Sequence, residues 1–105
     1  MSNDKDWKLK LRYGKLTTPY QHYTALVPVK IDNYIEDLDA QPGLAWAGIK
    51  IWATDTDEVS DIVTSIGKQT GFIITGNIEI YITEAIQPPE ANPYAYNINF
   101  NYFKE

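Results

Sequence analysis

The stretch NPYAYNINFNYF, residues 92–103, sets Tyr and Phe against Asn with a period of two near the end of the chain. Successive side chains of a β-strand point to opposite sides, so such alternation predicts a strand with unlike faces. Tyr94, Tyr96, Ile98, Phe100 and Tyr102 fall on one face, and Ala95, Asn97, Asn99 and Asn101 on the other. A stacking platform for single-stranded nucleic acid interleaves its rings with Lys and Arg that track the phosphates. Here the interleaved residues are asparagines, and the one nearby cation is Lys104. The rings therefore read as filling for the inner face of a sheet, each worth roughly 1.5–3 kcal/mol when buried.

The rest of the chain supplies the sheet. Trp7, Leu9, Leu11 and Tyr13 alternate with Lys8, Lys10 and Arg12, which predicts a half-buried first strand. A turn around Pro19 leads to a second, with Tyr23, Ala25, Val27, Val29 and Ile31 on one side. Pro28 lacks an N–H and marks this strand as an edge or the site of a bulge. Residues 32–43 read as a short helix or ordered loop ending on Gln41-Pro42-Gly43. A third strand covers 44–54, with Ile49, Ile51 and Ala53 opposite Gly48, Lys50 and Trp52.

The clearest helix signal follows. Asp55 can cap, Glu58 stands three residues later, and Val59, Ile62, Val63 and Ile66 recur at helical spacing before Gly71. A fourth strand over 71–85 breaks at Gly76-Asn77, as a hairpin or a bulge, and residues 86–93 form an extended link to the final strand. The expected fold is α+β: a single-layer, mainly antiparallel sheet of about five strands covered by one amphipathic helix (residues 56–70), in the order β-β-β-α-β-β.

At 105 residues the chain is sized for one domain, 1–105. It has no cysteine, which excludes disulfides, thiolate metal sites and a cysteine nucleophile and suits a reducing, cytoplasmic setting. The start MSNDKDWKLK has no apolar core of a signal peptide, and no apolar run approaches a membrane span. With net charge −5 the chain repels phosphate backbones and anionic membranes, so neither nucleic acid nor membrane is expected as a partner.

No motif names a reaction. The carboxylates of DTDEVSD, residues 55–61, open like a calcium loop, but Ser60 stands where that loop needs Gly and Ile66 where it needs Glu. They read instead as complements of a helix dipole. His22, the single histidine, has no Ser and Asp at telling spacing, and no glycine motif for phosphates occurs. No metal and no cofactor are expected.

Two acidic segments remain: Glu36, Asp37 and Asp39 before the third strand, and Asp55, Asp57 and Glu58 after it. Projecting from the same side of the sheet, they would form one acidic surface able to meet a basic cleft. Trp46 and Trp52 lie between them, and Trp52, on the outer face, requires a cover from a partner, a second subunit or this chain itself. The expectation is a non-catalytic protein-binding module, similar in its small, acidic, motif-poor character to inhibitor or toxin-neutralising immunity proteins. Its alternative is a homodimer binding a small molecule among Trp46, Trp52 and Tyr81; a His22-dependent enzyme ranks last.

Overall fold

A five-stranded antiparallel sheet and two helices make an α+β fold. The computed structural model describes residues 6–103; residues 1–5 and the pair Lys104 and Glu105 lie outside the described residues. In chain order the elements are α1 (Asp6–Arg12), β1 (Gln21–Ile31), a 3-10 turn (Glu36–Leu38), β2 (Gly43–Ala53), α2 (Thr56–Thr70), β3 (Phe72–Ile74), β4 (Glu79–Ile82) and β5 (Tyr94–Tyr102). Across the sheet, β3 and β4 share one side of β1, β2 lies on its other side, and β5 is the far edge. Since β2 and β3 are each antiparallel to β1, they run parallel to one another, joined by α2.

Tyr23, Ala25, Val27 and Val29 of β1 oppose Ile51, Ile49, Ala47 and Ala45 of β2, and all eight are buried on the helix face. Onto it α2 lowers Val59, Val63 and Gly67. Gly67 permits a close approach: a Cβ there would lie 2.9 Å from a ring carbon of Phe72 and 3.0 Å from its carbonyl oxygen. The Asp55 carboxylate accepts the N–H of Glu58 at 2.9 Å, and the Glu58 carboxylate accepts the N–H and hydroxyl of Thr54 at 2.8 and 2.9 Å. These bonds fix the start of α2, and Gly71, at φ 114°, ends it.

Three elements differ from the sequence reading. The expected first strand is helix α1. Trp7 and Leu11 are two periods apart in a strand but also one turn apart in a helix, and Leu, Lys and Arg are strong helix formers. The helix packs Trp7 and Leu11 while leaving Leu9 and Tyr13 exposed, which a one-faced strand would not do. The order is therefore α-β-β-α-β-β-β.

The expected fourth strand is two short ones. Both pair with β1, so Gly76-Asn77 makes no hairpin; β3 pairs in the register Val29 with Ile74, and β4 in the register Leu26 with Glu79, two residues out of step. The interruption faces Pro28. The carbonyl of Pro28 accepts the N–H of Thr75 at 2.8 Å, so its ring nitrogen points toward the same neighbour and has nothing to donate.

The row of rings on β5 is not one face. Gly48 pairs with Asn99 but Lys50 with Tyr96, so Ile49 of β2 faces two residues of β5, Asn97 and Ile98. Asn97 sits in the left-handed region at φ 56°, the conformation of the first residue of a one-residue bulge. An inserted residue reverses the alternation. Ile98 and Phe100 join the helix-face core, where Phe100 meets Phe72 at 6.2 Å between ring centroids, whereas Tyr94 and Tyr96 stand on the opposite, outer face.

Candidate functional site

The outer face divides into a covered and an open half. At the end where β1 begins and β2 finishes, α1 and the segment 83–91 close over His22, Trp52, Tyr94 and Tyr96. His22 and Trp52 oppose each other across β1 and β2 and are 2% and 5% exposed. The Tyr96 oxygen accepts the backbone N–H groups of Ile86 and Gln87 at 3.0 and 3.2 Å, which leaves its own proton for His22 Nε2 at 2.8 Å. His22 Nδ1–H then donates to the Thr83 carbonyl at 3.1 Å.

This assignment requires a neutral imidazole. Burial holds the His22 pKa below its ordinary 6.5, against the opposing hydrogen bond to Thr83, and nearby Lys50 lowers it further. Trp52 Nε1–H donates to the Gln87 carbonyl at 2.9 Å, and the Tyr94 hydroxyl donates to that of Pro88. Burial, with Glu90 and Tyr96 nearby, pushes the Tyr94 hydroxyl up to about 12.

A shallow cleft of about 320 Å³ opens beside this cluster, lined by residues that include Trp7, Arg12, His22 and Glu84. Its buried polar groups are engaged. Lys8 pairs with Glu84 at 3.5 Å, and among the described residues no buried side-chain nitrogen or oxygen lacks a hydrogen-bond partner. Both ring nitrogens of His22 are held by Thr83 and Tyr96, with no carboxylate among their partners. Its place is that of an internal junction joining β1, the 83–87 segment and β5.

The other half of the outer face has no cover among the described residues. Leu26 and Pro28 of β1 lie opposite Gly48 and Trp46 of β2, with Leu44 beside Lys30. Across the flanks Ile73 opposes Lys30 and Tyr81 opposes Thr24, and Phe103 meets Trp46 at 6.1 Å between ring centroids. Leu44, Ile73, Tyr81 and Phe103 are 44–49% exposed. Four strand spacings by about seven residues make a plane of roughly 450 Å². Thr24, Lys30, Gly48, Lys50 and Glu79 share this plane, so its apolar part is smaller than the whole and within the size of the largest patch on an ordinary monomer.

The residues singled out in the sequence are dispersed. β1 enters the connection of Glu36, Asp37 and Asp39 at one end of the sheet, and β2 leaves for Asp55, Asp57 and Glu58 at the other, an eleven-residue strand away, roughly 35 Å. The single acidic surface expected from their projecting together is not formed. Asp55 and Glu58 cap α2, and Asp39 accepts the hydroxyl of Tyr34 at 2.8 Å, which raises the pKa of that tyrosine. Trp52 is covered by its own chain and is withdrawn from any partner.

Trp46, six residues away on the same face, belongs to the open half. Trp46, Trp52 and Tyr81 therefore line no common pocket. Among the described residues no group of three or more His, Asp or Glu converges as a metal site. Leu26, Pro28, Leu44, Ile73 and Phe103 escaped the sequence reading, although strand parity places the first three opposite the core positions of β1 and β2. No family model, curated protein or solved structure matches this chain.

Proposed function

We propose that the chain is a non-catalytic protein-binding module whose contact surface is the open half of the outer sheet face. The observation that carries this reading is the group of outward apolar side chains Leu26, Pro28, Leu44, Trp46 and Phe103, with Ile73 beyond Lys30 and Tyr81 beyond Thr24, on strands whose opposite face is packed. Aromatic and aliphatic side chains interspersed with polar groups, here Lys30, Lys50, Glu79 and the asparagines of β5, match the mixed composition of protein contact surfaces. The net charge of −5 favours encounter with a basic partner, and the inhibitor or immunity-type role is one instance of this function. A cytoplasmic setting belongs to the same proposal and rests on the absence of cysteine.

Comparative capture tests it. Wild-type protein and the Trp46→Lys variant are immobilised at equal density after circular dichroism shows the same fold. Proteins retained by the wild type and lost from the variant support the assignment. Identical capture by both, or none by either, contradicts it.

A further inference from the structure

The two edges of the sheet are built differently. On one, β3 and β4 are three and four residues long, are offset by the interruption opposite Pro28, and carry Glu79. Short strands, bulges and charges are the devices that stop an edge from pairing with another chain. The other edge, β5, runs nine residues without a proline or a charged residue, and no charge occurs between Glu90 and Lys104.

Its free backbone groups can be identified. Phe103 N–H donates to the Leu44 carbonyl at 2.9 Å. In an antiparallel ladder bonded pairs alternate, so Asn101 and Asn99 turn their N–H and C=O toward Trp46 and Gly48 of β2. Those of Ile98, Phe100 and Tyr102 point away from the sheet.

We propose that β5 pairs with β5 of a second copy of this chain, antiparallel about a two-fold axis, to form one continuous sheet. The register follows from the limits of the straight segment. Asn97 bends the strand at one end and Tyr102 closes it at the other, so the longest symmetric overlap centres on Phe100. Phe100 then faces its own copy as a bonded pair, Ile98 faces Tyr102 of the partner, and Asn99 faces Asn101 of the partner. All three outward N–H groups and all three outward carbonyls of each strand are used, giving six main-chain hydrogen bonds across the seam.

The side chains agree with this register on both faces. Ile98, Phe100 and Tyr102 are partly exposed on the helix face and would cover one another across the axis. On the outer face, asparagine meets asparagine, which can exchange side-chain amide hydrogen bonds. The alternation of rings with asparagines thus suits a seam apolar on one side and polar but uncharged on the other. Two copies of net charge −5 repel, and of the two edges only β5 brings no charge of its own to the contact.

The test is a charge swap on the exposed outer-face positions, which leaves the core residues alone. Sedimentation velocity of the wild type from micromolar to millimolar concentration is expected to move from 12.0 kDa toward twice that mass. Asn99→Lys with Asn101→Lys sets like charges against each other across the axis, and the dimer is lost while the circular dichroism is unchanged. Asn99→Lys with Asn101→Glu sets opposite charges together and restores it. In parallel, the amides of Ile98, Phe100 and Tyr102 gain protection from hydrogen exchange as wild-type concentration rises. A wild type that stays monomeric, a dimer indifferent to the double lysine variant, or these amides exchanging freely within a dimer would each overturn the proposal. The seam uses the edge and not the apolar outer face, so its outcome is independent of the Trp46→Lys capture result.

Discussion

Removing one oxygen, in Tyr96→Phe, disconnects three elements at once. The Tyr96 hydroxyl holds the N–H groups of Ile86 and Gln87 and donates to His22 Nε2, and Tyr96 itself is 8% exposed. Each hydrogen bond contributes about 0.5–1.5 kcal/mol net, with more lost where a buried partner is left unpaired. Ile86 and Gln87 lie at the surface, where their N–H groups can recover water, so the expected total is about 2–3 kcal/mol rather than the sum of three full penalties. Urea unfolding reads this as a lower midpoint at unchanged slope.

The same variant changes the response to acid. In the wild type the folded His22 pKa lies below the ordinary 6.5. As pH falls the unfolded chain takes up the proton first, so the stability present above pH 6.5 is lost on descending toward the folded value, by at most about 1.4 kcal/mol per pH unit. Without the tyrosine proton the neutral imidazole loses its donor, so the His22 pKa rises somewhat while burial and Lys50 still hold it below 6.5, and the dependence weakens. Urea midpoints at several pH values between neutrality and mild acid give both profiles. A loss below about 0.5 kcal/mol with an unaltered pH profile would contradict the assigned hydrogen-bond directions.

Two further substitutions probe the backbone. Gly67→Ala, normally a gain in a helix, is expected to cost about 1–3 kcal/mol because the new methyl meets Phe72 at 2.9 Å, and chemical denaturation checks the sign. Asn97→Gly should be tolerated whereas Asn97→Val costs about 1–2 kcal/mol, since φ 56° penalises a branched side chain; equal melting temperatures would show that the bulge is not held in the left-handed region.

Much of the fold was legible because its periodicities are unmixed. β1, β2 and α2 each show one face of aliphatics, and α2 announces itself by its cap at Asp55 and its end at Gly71. Trp7 and Leu11 misled because four residues is a whole number of strand periods and nearly one helical turn. On β5, a pattern of uniform rings and asparagines carries no mark of the residue at which the chain bulges. The left-handed tolerance of Asn97 is shared by Asn99 and Asn101, so composition could not select among them. The site was less legible still. Acidic loops and Trp52 drew attention by residue type, yet capping bonds and the cover from segment 83–91 absorb Asp55, Glu58 and Trp52. The open face emerges only when the outward positions of β1, β2, β3 and β4 are set side by side.

Photocrosslinking in cells that make the protein puts the proposed surface itself on trial. A photoreactive amino acid is placed at Leu26, in the middle of the open face, and in a second protein at Ser65, on the exposed side of α2. A discrete protein adduct from position 26 with none from position 65 is the expected result. No adduct from position 26, or the same adducts from both positions, would contradict the assignment of this face as the contact surface.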